Sequence, residues 1–166
     1  VLPAFLKATE LGCDHLEMDG VLSGDGHVII SHEPWMRHDL CLTPDDEAIT
    51  PENEHLFNIH RMTVAEIRRF DCGSLEQVGH PEQDLDDTHK PTLEEVVDAV
   101  DEHALLSGVA PPSFNIEIKS EPAWYGVFQP APDVLARTVI NTIDSLGIAD
   151  RCMLQSFDPA VLETIH

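Results

Sequence analysis

Two short stretches of this chain carry charge where a sheet would be expected to carry core. In HLEMDGV, Glu17 and Asp19 alternate with Leu16 and Met18, and in FNIEIKS, Glu117 and Lys119 alternate with Ile116 and Ile118. Residues two apart in a strand share a face, so each stretch presents two charged side chains together. Three carboxylates and an ammonium converging from strands suit a hard divalent cation, Mg²⁺ or Ca²⁺ rather than zinc, with a phosphate group beside it. Plainer readings exist: acid pairs at this spacing are common on solvated edge strands, and Lys119 can simply pair with Glu117. Two buried acids without a cation, however, must protonate or bear a heavy desolvation cost. His32 follows the apolar run of HVIISHE; such a histidine is unexceptional alone, but beside a phosphate an imidazole suits general acid or base work.

The elements that position these residues alternate in type. A helical stripe over residues 2 to 11 ends at Gly12, and strands are expected over 15 to 21 and 27 to 33, joined by the tight turn SGDG. Residues 34 to about 90 resist assignment, except where Thr63 caps the helix VAEIRRF with Glu66 in capping-box position. The same grammar at Thr92 opens a helix through Ala104, with Leu93, Val96, Val97 and Val100 on its apolar face. A strand over 114 to 120 follows, then a helix from Pro132 to Leu146 stopped by Gly147, then a strand over 152 to 158. Strands alternating with helices predict an α/β fold with a parallel sheet. The turn after the first strand lacks the G-x-G-x-x-G pattern and leads into a strand, which disfavours a dinucleotide-binding sheet. Functional side chains near the ends of several strands instead suit a (β/α)8 barrel, which usually takes about 250 residues. The chain begins and stops within amphipathic helical patterns, so a piece of a longer protein is expected, supplying part of a barrel.

Composition narrows the partners. The 166 residues are 42% hydrophobic, enough for a packed core, and no apolar run approaches the length of a membrane span. Nine Lys and Arg against 31 Asp and Glu give a net charge of -22, a field that repels nucleic acid and anionic lipid. Most of these acids fall in stretches such as PDDE and EQDLDD, a solvated surface of the kind suited to a salt-rich cytoplasm. Cys13, Cys41, Cys72 and Cys152 are widely spaced and lack zinc-ligand patterns, so reduced, idle thiols are the default expectation.

The order and spacing of LPAFLKATELGCDHLEMDGVLSGDGHVIISHEP, MTVAEIRRFDCGS, KPTLEEV, FNIEIKS and LQSFD resemble the glycerophosphodiester phosphodiesterases over nearly the whole chain. The resemblance implies a partial TIM (β/α)8 barrel over residues 1–166, with an enlarged loop at about 34–60 over the mouth, suited to substrate selection. It implies a divalent cation on Glu17, Asp19 and Glu117, a phosphate contact by Lys119, one of two catalytic histidines at His32, and Phe157 either as a wall of the site or as core packing. The implied reaction cleaves a small glycerophosphodiester into glycerol 3-phosphate and an alcohol. Where the family has His-Asp this chain has His32 and Glu33, so an orienting role is not carried over to the longer acid. The family's first catalytic histidine, with its arginine and a glutamate, would lie before Val1; Glu52, in a Pro-Glu-Asn sequence of the variable loop, is not assigned to that role. The chain alone is therefore expected to be inactive and poorly stable, with open sheet edges. Two other readings stand beside this one: a sphingomyelin-cleaving phospholipase D-like enzyme on the same fold, and a non-catalytic acidic domain that binds Ca²⁺. Cytoplasmic and periplasmic residence are equally compatible with the sequence, which carries no signal for oligomeric state.

Overall fold

The computed structural model describes residues 1–77 and 79–166. Its centre is a four-stranded sheet formed by β1 (His15–Leu22), β2 (Val28–Ile30), β3 (Ser113–Ile118) and β4 (Cys152–Gln155), in the order β2-β1-β3-β4. The pairs β1/β3 and β3/β4 are parallel, as expected of a barrel wall. The β2 strand departs from that expectation and runs antiparallel to β1. The reason is the connection: the short turn between them can close only an antiparallel hairpin, since a parallel return needs a long crossover. Strand β1 changes neighbours at Gly20, pairing with β3 over His15–Gly20 and with β2 over Gly20–Leu22. Gly20 sits where the hairpin folds over, and a Cβ there would stand 3.1 Å from Val28 Cγ1.

Helices α1 (Leu2–Glu10), α3 (Leu93–Ser107), α4 (Pro132–Leu146) and α5 (Pro159–Ile165) pack with the sheet around the main core, while the one-turn helix α2 (Val64–Ile67) lies in the long β2–α3 connection. Both threonine caps form as read. Glu66 N and Glu95 N donate to the hydroxyls of Thr63 and Thr92, and each glutamate side chain reaches back to its threonine's amide. On α3 the buried stripe is Leu93, Val96, Val97, Val100 and Ala104, and it meets Leu16, Met18, Phe114, Ile116 and Ile118 from the sheet. The helix runs three residues beyond Ala104 before Gly108 closes it with a left-handed φ of 67°. Several elements are shorter than read: β2 spans only Val28–Ile30 and β3 ends at Ile118, while α2 ends at Ile67 because Phe70 turns into a core and β4 ends at Gln155 because Asp158 caps α5.

Residues 34–70 build a core of their own against the outer side of the hairpin. Val21 and Ile29 meet Met36, Cys41, Ile49, Ile59, Val64, Ile67 and Phe70 there. Cys41 and Cys72 are joined by a disulfide, which corrects the expectation of idle thiols for these two; Cys13 and Cys152 are free. The long connection folds back to bring the 41 and 72 segments side by side, with Leu42 N donating to Asp71 O at 2.7 Å. Among the described residues, no strand pairs with the outer edge of β4. No helix is long and apolar enough to cross a membrane.

Candidate active site

Strand register assembles the charged residues. Asp19 stands opposite Glu117 and Glu17 opposite Asn115 on the parallel β1/β3 pair. Strand β4 extends both rows, with Met153 beside Asn115 and Gln155 beside Glu117. Leu16, Met18, Ile116 and Ile118 point the other way, into the main core. One face of the sheet is thus polar because the helices cover only the opposite face.

The carboxylates converge. Glu17, Asp19 and Glu117 each offer an oxygen, and these atoms all lie within 4.8 Å of one another. Lys119, two residues beyond Glu117 on the same face, sets its Nζ 2.7 Å from Glu117 Oε1 and 3.0 Å from Asp19 Oδ1. Burial works against the Lys119 ammonium, but its hydrogen bonds to Glu117 and Asp19 outweigh this and hold it above the ordinary lysine value. Desolvation, then repulsion from Asp19 and Glu117, pushes the Glu17 carboxyl above its usual range, while Lys119 and His32 pull it back. Three carboxylates against one ammonium leave two negative charges uncompensated, presented by hard oxygens alone. That donor set fits a divalent cation of the Mg²⁺ or Ca²⁺ type.

His32 follows β2, where Ser31 N donates to Asp19 O at 2.9 Å and ties the segment to β1 beside the cluster. Its ring is exposed, and Nδ1 lies 2.9 Å from Glu33 Oε1. An ionised carboxylate only accepts, so Nδ1 is the donor in this contact, and in the neutral imidazole Nε2 then carries the lone pair. Glu33 also accepts from Arg37 Nη1 at 3.1 Å, and Arg37 forks onto Asp39. The longer acid at position 33 therefore does contact the histidine.

Phe157 lies two residues past β4 and is 86% exposed among the described residues. Glu52 is exposed in the 34–60 loop and stands outside the carboxylate cluster. That loop meets the segment after Lys119 through aromatic rings. Trp35 packs against His55 at 4.3 Å, Phe128 at 5.2 Å and Trp124 at 5.9 Å between centroids, and Asn58 Nδ2 donates to Val127 O at 2.8 Å. A cavity of about 990 Å³ lies between the first residues of α1 and the 79–88 segment, and none of Glu17, Asp19, His32, Glu117 and Lys119 lines it. Sequence reading missed Gln155, the Glu33–Arg37 pair and the aromatic wall. Gln155 alone had a local signal, since strand alternation puts it on the face opposite Leu154.

The glycerophosphoryl diester phosphodiesterase family model matches residues 2–166. No curated protein matches the chain by sequence. Among solved structures, a glycerophosphoryl diester phosphodiesterase from Silicibacter pomeroyi is similar at 25% identity and a TM-score of 0.81, over 98% of this chain and 54% of that one. An Oleispira antarctica phosphodiesterase, solved with the product sn-glycerol-3-phosphate, shares the fold at 20% identity and a TM-score of 0.67, over 98% and 53% of the two chains. A Thermotoga maritima glycerophosphodiester phosphodiesterase shares it at 22% and 0.58, over 99% and 50%. The chain spans about half the length of these structures. With the family model running from its second residue to its last, the chain belongs to the glycerophosphoryl diester phosphodiesterase family.

Proposed function

We propose that the intact protein hydrolyses glycerophosphodiesters to glycerol 3-phosphate and an alcohol, and that residues 1–166 supply part of that catalytic domain. The observation that carries this reading is the convergence of Glu17, Asp19 and Glu117 around a shared point, with Lys119 bridging two of them, in a chain of this family. The product complex of the Oleispira antarctica relative supports the choice of substrate class. No feature of the described residues favours the sphingomyelin-type or the non-catalytic reading.

Glu17, Asp19 and Glu117 would hold the divalent cation, Mg²⁺ or Ca²⁺, which supplies Lewis-acid polarisation of the phosphoryl oxygens. Lys119 donates to a non-bridging phosphate oxygen and offsets the charge that develops as the ester bond breaks. His32, oriented by Glu33 through Nδ1, uses Nε2 to carry one of the two protons, either from the attacking oxygen or to the departing alkoxide. Phe157, exposed just past β4, walls the substrate side, and the 34–60 loop with its aromatic contacts selects the alcohol group.

The test is release of glycerol 3-phosphate from glycerophosphocholine by the intact protein, with and without a chelator. His32→Ala should lower turnover at least ~100-fold if it carries a proton. Near-normal turnover of that variant removes His32 from the mechanism, and activity on sphingomyelin without glycerophosphocholine cleavage would overturn the substrate class.

A further inference from the structure

Behind His32 and Glu33 lies a buried lysine that the proposed reaction leaves without a role. Lys90 is 5% exposed, and its Nζ donates to Ser31 Oγ at 2.7 Å. The Ser31 hydroxyl donates in turn to the backbone carbonyl of Glu33 at 2.6 Å. Glu33 is the residue whose Oε1 receives His32 Nδ1 and Arg37, and its Oε2 is buried without a hydrogen-bond partner among the described residues. Lys90 is delivered to this place by the backbone: Ile30 N donates to Pro91 O at 2.8 Å, and Ile29 bridges to Thr92, so the 90–92 segment runs along the side of β2 away from β1.

Holding an ammonium here is costly. Burial lowers the Lys90 group to about 8, with Glu33 and Asp39 supporting the charge and Arg37 opposing it. A methionine would fill the same space without that cost, but it would strip the Glu33 carboxylate, with its buried Oε2, of a supporting cation. The hydrogen-bonded path from Lys90 through Ser31 ends on the backbone of the residue that touches His32.

We infer that Lys90 is a positioning residue for His32: through Ser31 it fixes the Ser31–Glu33 turn, and its charge faces Glu33, so that His32 keeps its hydrogen on Nδ1 and presents Nε2 to the substrate. The kinetic part of this inference rests on the proton-carrying role proposed for His32; the tautomer part does not.

The experiment compares Lys90→Met, Ser31→Ala and the double variant with wild type in the intact protein, reading kcat, KM, melting temperature and the imidazole ¹⁵N shifts of His32. Lys90→Met should lose about tenfold or more in kcat by analogy with partners that orient active-site histidines, and keep KM within about twofold, with the melting temperature reporting that the variant is folded. The His32 nitrogens should move from an Nδ1–H pattern toward a mixture of tautomers. Ser31→Ala should reproduce the kinetic and tautomer changes, and the double variant should lose no more than either single one, because both act through one chain of contacts. Should Lys90→Met fail to fold, Ser31→Ala, which removes a single hydroxyl, decides the matter. Retention of the Nδ1–H pattern in the folded variants overturns the inference, whether or not kcat falls. If His32→Ala leaves turnover intact, the hydrolytic role of His32 falls, while the tautomer measurement still judges Lys90.

Discussion

Asp19 and Glu117 occupy paired register positions on adjacent parallel strands, and a single ammonium, that of Lys119, is shared between them. Like charges set side by side in a sheet ordinarily repel and destabilise it. Here the repulsion is built into the register, because neither strand can slip by one residue without turning Leu16, Met18, Ile116 and Ile118 out of the core. Hydrophobic burial on one face thereby enforces an electrostatic arrangement on the other.

Glu17 stands at the exposed end of this cluster, and its carboxyl is raised by desolvation and by Asp19 and Glu117. Glu17→Gln removes one of the repelling charges. In the presence of a chelator the variant should melt above wild type, because the folded protein no longer holds three carboxylates together. Addition of Mg²⁺ or Ca²⁺ should raise the melting temperature of wild type and do so much less for the variant. Equal cation-induced shifts in both proteins would remove Glu17 from the ligand set.

Asp158 is 4% exposed and joins three segments: Ser120 Oγ donates to it at 2.5 Å, the Tyr125 hydroxyl donates to the same oxygen, and Ala160 N donates to the other at 3.0 Å. Burial alone would raise this carboxyl, but the donors prevail and hold it below the ordinary aspartate value of 3.8. A carboxyl depressed on folding contributes stability above its unfolded pKa and loses it as pH falls through the folded one. Acid unfolding below 3.8 should therefore be shallower for Asp158→Ala than for wild type, and at neutral pH the variant should lose about 1–3 kcal/mol for the stranded hydroxyls. Urea melts across that pH range measure both.

The disulfide between Cys41 and Cys72 closes a loop across a separation of 31 residues. Cross-links of this kind typically contribute about 2–4 kcal/mol by restricting the unfolded chain. Reduction, or a Cys41→Ser/Cys72→Ser variant, should lower the melting temperature and raise proteolysis within the 34–70 segment before the rest of the chain opens. Uniform proteolysis across the chain would show that this segment is no separate unit.

Local signals carried the sequence reading far. Thr63 and Thr92 announce their helices because a capping box is complete within four residues, and Glu17, Asp19, Glu117 and Lys119 are exposed as a set by strand alternation. The direction of β2 was also legible, since so short a turn forbids a parallel return, but the alternation of strands and helices elsewhere masked it. The Cys41–Cys72 bond and the path from Lys90 through Ser31 to Glu33 were not legible. They join residues 31 and 59 positions apart whose proximity is created only when the long connection folds onto the hairpin.

The separate core of residues 34–70 makes this protein modular in a practical sense. The 34–60 segment is anchored by its own apolar cluster, the Cys41–Cys72 disulfide and the hairpin beyond Gly20, while Glu17, Asp19 and Glu117 are aligned by the pairing of β1 with β3. Two independent supports thus hold the two regions: side-chain packing and a covalent bond for the 34–70 segment, and strand pairing for the three carboxylates.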